Sequence, residues 1–111
     1  MKVPKTKKLK IGSSWYDIKY VDDLRDEQNR LMFGQILQGS RLIKINKERN
    51  SFQNMLQTLY HESEHGVMWE YGVDDVEDLV ESISNGNFAF IIDNPEFIRE
   101  ILKLAERIKK C

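Results

Sequence analysis

His61, Glu62 and His65 are the residues best suited to chemistry in this chain. They stand in H-E-x-x-H order inside TLYHESEHGVMWEYG (58–72), and the sequence has no other histidine. A helix turns ~100° and rises ~1.5 Å per residue. Side chains four apart are therefore ~40° out of line and ~6 Å apart along the axis. Two imidazoles at that spacing converge on one ion with Zn–N distances of about 2.0–2.1 Å. Glu62 points ~100° away from His61, too far round to be a third ligand but within reach of a water on the metal. That is the arrangement of metal-assisted hydrolysis, with two ligands and an adjacent base. The competing reading is two polar residues on the wet side of a helix. Against it, Met68 and Trp69 share the histidines' side, while Phe52, Leu56 and Leu59 form an apolar stripe opposite. A helix apolar on both sides is covered on both, and covered histidines need polar partners.

A catalytic zinc site usually has three protein ligands and one open position. The single cysteine is the last residue, Cys111, so cysteine ligands are nearly excluded, and no intramolecular disulfide can form, which fits a reducing cytosol. The third ligand must then be a carboxylate, from among Glu70, Asp74, Asp75, Glu77, Asp78 and Glu81. If the motif helix ends near Tyr71 and the next returns antiparallel, the turn centres near Val73. His65 lies eight residues before that point and Glu81 eight after. This levelling places Glu81 first and Glu77, one turn nearer the connection and facing Trp69, second.

The elements that position these groups change period along the chain. KLKIGSSWYDIKYV (8–21) alternates as a hairpin about Gly12-Ser13-Ser14. LMFGQILQGSRLIKIN (31–46) reads as a second hairpin turning at Gln38-Gly39-Ser40. The charged stretch 22–30 between them reads as a loop. From Ser51, an N-cap, the period becomes helical, with Phe52, Met55, Leu56, Leu59, Tyr60 and Val67 on one stripe and an end at Tyr71-Gly72. A second helix is predicted after Asp74 or Asp75 on Val76, Leu79, Val80 and Ile83, weakened at Gly86. DNP (93–95) restarts a third, with Asn94 as N-cap and Pro95 at the first helical position. Its apolar face is Phe97, Ile98, Ile101, Leu102, Ala105 and Ile108. The expected fold is α+β, a small antiparallel sheet of two hairpins packed on about three helices, in one domain over 1–111.

Composition narrows the partners. A net charge of −1 gives no electrostatic case for nucleic acid or a membrane surface. The basic N-terminus, Lys2 to Lys10, has no apolar run after it and reads as a solvated tail entering an edge strand, not a signal peptide. No apolar run approaches the ~20 residues of a membrane span. The expected location is the cytoplasm.

In the order TLYHESEH (58–65), YG (71–72), VESI (80–83) and DNP (93–95), the chain resembles very small H-E-x-x-H proteins of bacteriophages and prophages, related to ImmA/IrrE-type and SprT-like metallopeptidases. Those carry two hairpins, a TLLHE-x-x-H helix, a YG turn, a VE-x-L helix and a DNP restart. The resemblance implies a minimal gluzincin-like peptidase with one zinc held by His61, His65 and Glu81, and Glu62 as general base. It also implies a substrate strand along the edge of the 33–46 hairpin, and a protein or peptide substrate such as a repressor-type regulator. Ser63 and Glu64 depart from the apolar residues usual inside the motif. Oxyanion stabilisation is left to Tyr60, Tyr71, an arginine or Asn85. The alternative reading is a non-catalytic accessory protein in which zinc ties two helices together.

Overall fold

The computed structural model describes residues 2–48 and 50–110; Cys111 lies outside them. Among the described residues, four strands precede three helices: β1 (Lys8–Ile11), β2 (Ser14–Val21), β3 (Gly34–Leu37), β4 (Leu42–Asn46), α1 (Phe52–Glu70), α2 (Glu77–Asp93) and α3 (Pro95–Lys110). The fold class is α+β, as the change of period requires.

Both hairpins form where the turn residues place them. Gly12 takes φ 61° in the first, where a residue with a Cβ is strained. The sheet they build is mixed, not purely antiparallel, because β2 and β4 run parallel and the order is β1-β2-β4-β3. The reason lies in side chains. Ile43 and Ile45 of β4 are fully buried, so the return strand takes the centre. The shorter GQIL strand, all of it half-buried, is left at the edge. A parallel pair needs a connection of about a dozen residues or more, which the 22–33 loop and β3 together supply.

α1 lies on this sheet, α2 on α1, and α3 touches the rest of the described chain through α2 alone. Ser51 caps α1 as predicted, its Oγ accepting from the Asn54 backbone N–H at 3.1 Å. The buried face of α1 is rotated from the predicted stripe. Met55, Leu59, Glu62 and Gly66 go inward, whereas Phe52 and Val67 are exposed. Gly66 permits this, because a Cβ there would meet Ile11 Cδ1 at 3.0 Å and Ile36 Cδ1 at 3.2 Å. Glu62, His65 and Met68 are buried too, so the helix is covered on more than its apolar stripe.

α2 also turns differently from the prediction. Val80 and Ser84 are its buried residues, while Val76, Leu79 and Ile83 are exposed. It runs unbroken through Gly86, where nothing crowds the position. Asn94 does break the chain between helices, but its side chain serves α2, donating from Nδ2 to the Phe90 carbonyl at 2.9 Å. Among the described residues, no helix is long and apolar enough to cross a membrane.

Candidate metal centre

The regular part of α1 carries His61, Glu62 and His65 in one turn and a half, and the start of α2 brings Glu77 to them. His61 Nε2 lies 2.8 Å from Glu77 Oε1 and His65 Nε2 lies 2.9 Å from Glu77 Oε2. One carboxylate thus spans both Nε2 atoms, and one ligand atom from each of the three residues lies within 4.8 Å of the others. His61, His65 and Glu77 form a cluster able to hold a metal ion.

The far side of each imidazole is held by protein. His65 Nδ1 is 3.0 Å from Asp75 Oδ2, which also accepts from the Trp69 indole N–H at 2.8 Å. His61 Nδ1 is 3.2 Å from Ser84 Oγ, whose own hydroxyl donates to the Glu81 carbonyl at 3.3 Å. Ser84 therefore accepts from His61, which places the proton on Nδ1 and the lone pair on Nε2. A neutral imidazole has one N–H, so His65 cannot donate to Asp75 and Glu77 at once. With the His65 proton on Nδ1 for Asp75, as for His61, two Nε2 lone pairs would face the Glu77 carboxylate. A cation at that point, zinc-sized and able to take nitrogen and oxygen ligands, satisfies all of them. The donor set fits such an ion, and Asp75 and Ser84 supply the outer hydrogen bonds that fix ligand tautomers.

α2 starts at Glu77, after Asp74 and Asp75 as predicted, with Val76 as its N-cap and no side-chain cap bond. The Asp75 carboxyl is held below its ordinary value, foremost by the hydrogen bond from His65 and then by that from Trp69. Replacing it should be felt at the metal. Asp75→Asn is expected to lower zinc affinity by about 10- to 100-fold, the usual effect of losing such an orienting partner, as read by competition with a chromophoric chelator.

Glu62 lies beside the cluster and is buried. Burial, the largest influence, pushes its carboxyl above the ordinary carboxylate range; His61 and His65 pull it back and Glu77 pushes it up further. Its approach to β3 depends on Gly34. A Cβ there would meet Thr58 Cγ2 at 2.6 Å and Glu62 Cγ at 3.1 Å. Gly34→Ala is expected to destabilise the fold by about 1–3 kcal/mol through overpacking. Thr58→Ser, which removes the clashing methyl, should restore most of that loss in a double-mutant denaturation cycle.

Cavities open on both sides of the cluster. One of about 460 Å³ is walled by Phe33, Asn50, Gln57, Glu81 and Asn85, with His61, Glu62 and Glu77. The other, about 430 Å³, lies against Gln35, Ile36, Trp69 and Asp75. Gly34, Glu62 and Glu77 line both, so the space follows the edge strand past the cluster in both directions.

Of the sequence-predicted residues, His61, Glu62 and His65 are brought together. Glu81, placed first for the third ligand, lines the larger cavity but is not in the cluster; Glu77, placed second, is. The levelling argument centred the turn two residues too late. Gln57 bonds Asn85 and His65 pairs with Glu77, and both pairs are equidistant from Tyr71, not Val73. Moving the centre by two moves the partner by four, about one helical turn. Among the oxyanion candidates Asn85 lines the larger cavity, while Tyr60 and Tyr71 line neither. Ser84 and Gly34 were missed as site residues. Ser84 falls two turns after Glu77 on the same face of α2, a spacing that could have flagged it. Compared with protein-family models, curated proteins and solved structures, the chain matches none.

Proposed function

We propose that the chain is a zinc-dependent metallopeptidase acting on an extended peptide or protein segment. The observation that carries this reading is the convergence of both Nε2 atoms on Glu77, with both Nδ1 atoms pinned, beside a buried glutamate in a groove along a sheet edge. In this reading His61, His65 and Glu77 hold the ion, and Glu81 is a wall residue of the cavity. Bound zinc makes a water acidic near neutral pH and polarises a carbonyl.

The chain's own groups do the rest. Glu62, its carboxyl raised above the ordinary carboxylate range by burial, takes the proton from the attacking water and returns it to the leaving nitrogen. β3 pairs with β4 on one side and offers its other edge to a substrate strand, a common way of holding extended peptides. Space on both sides of the cluster suits cleavage within a chain, since residues before and after the scissile bond need room. Asn85, a wall residue of the larger cavity, is the side chain we assign as donor to a developing oxyanion. A repressor-type regulator remains the substrate class suggested by resemblance.

The test is cleavage of a mixed peptide library by zinc-loaded protein, with fragments read by mass spectrometry. New internal termini that vanish with Glu62→Gln support the reading; an intact library under saturating zinc sinks it. One observation favours a second reading. The ligands come from two helices, and among the described residues α2 reaches the sheet only by way of α1, so zinc could serve as a non-catalytic brace, a device small cores often use. In that case Glu62→Gln changes no activity because there is none.

A further inference from the structure

We infer that α3 is a self-association helix, pairing antiparallel with α3 of a second copy of this chain. The sequence marks Phe97, Ile98, Ile101, Leu102, Ala105 and Ile108 as a core face, but the fold leaves most of that face uncovered. Phe97, Ile101, Leu104 and Ile108 are between 46% and 62% exposed, and α3 touches only α2 among the described residues. Phe90 of α2, itself half exposed, extends the patch by an edge-on ring contact with Phe97 at 6.1 Å. Exposed apolar side chains grouped along one helix face point to an interaction site.

Two features select the occupant. The first is spacing. Phe97, Ile101, Leu104 and Ile108 follow one another at intervals of four, three and four, the a/d seam of a two-stranded coiled coil. The second is charge. The first half of the helix (Glu96, Arg99, Glu100) carries net −1, and the second (Lys103, Glu106, Arg107, Lys109, Lys110) net +3. A parallel partner would set the two basic ends side by side. An antiparallel copy sets each basic half against an acidic one.

The core layers then close on themselves. Phe97 meets the partner's Ile108 and Ile101 meets the partner's Leu104, while the two-fold axis supplies the reverse pairs. In the same register the flanking Glu100 stands beside the partner's Arg107. The contact is self-complementary, as a two-fold interface must be. It leaves the metal cluster free, because α3 contributes no residue to either cavity beside it.

Sedimentation velocity on the metal-free 111-residue chain over a range of micromolar concentrations tests this. A reversible dimer is expected, lost in the double variant Ile101→Glu/Leu104→Glu while far-UV circular dichroism keeps its helical signal. Should that variant fail to fold, surface charge reversal decides independently. Glu100→Arg is expected to weaken the dimer about tenfold, by turning two symmetric pairs into repulsions. Glu100→Arg with Arg107→Glu is expected to recover it. A wild-type monomer at every concentration overturns the inference, as does a dimer indifferent to both sets of changes. A charge-reversed pair that fails to recover overturns the antiparallel register.

Discussion

Glu77→Ala loses zinc affinity by about 100-fold or more, whereas Glu81→Ala stays within about threefold of wild type. The first figure follows from removing an inner ligand where even outer partners are worth about 10- to 100-fold. The second follows from Glu81 lining the cavity without joining the cluster. Isothermal titration of tag-free apo-protein measures both, and the wild type should take up one zinc per chain. The same contrast should appear in stability. An ion bound only by the folded state, at about 100 times its dissociation constant, adds about 2.7 kcal/mol. In a domain of this size that amounts to roughly 10 °C in Tm. A chelator should reverse it, and His65→Ala should abolish it. The reverse pattern, with Glu81→Ala crippling and Glu77→Ala silent, would mean that α2 sits one turn away from the register described here. No zinc uptake by wild type would remove the metal centre altogether.

That register is also where sequence reading stopped being sufficient. The H-E-x-x-H spacing, the Ser51 cap and the Gly72 end of α1 are local features, and local physics places them. The third ligand depends on how a second helix docks, which a few loop residues decide. Tyr71 to Val76 do not form the symmetric turn assumed in levelling; within them Asp75 folds back to bond His65 and Trp69. The mixed sheet was hidden for a similar reason. Each hairpin was legible from its turn, but the choice between antiparallel and parallel joining rests on burying Ile43 and Ile45, a property of the assembled sheet. α3 makes the converse point. Its periodicity marks an amphipathic helix, yet periodicity cannot say whether the apolar face finds its cover within the chain, and among the described residues most of it does not.

Glu62→Gln is expected to lower kcat/KM by about 10²- to 10⁴-fold, the usual worth of a positioned general base, with zinc content unchanged. Glutamine matches glutamate in shape and so keeps the packing against Gly34 and β3, but it cannot accept the proton. The metal-free variant should be at least as stable as wild type. Burial raises the Glu62 carboxyl in the folded state, so the fold binds a proton that the unfolded chain has already released. Wild type therefore loses stability as pH rises from the ordinary carboxylate value through the raised one, and a neutral amide does not. A variant that is folded, zinc-loaded, slightly stabilised and inactive separates the base from the scaffold. Retained turnover would remove Glu62 from the chemistry. Wild type that binds zinc but cleaves nothing would leave the ion as a brace between α1 and α2. The two outcomes differ because the proton acceptor and the metal ligands are different side chains, and can be changed one at a time.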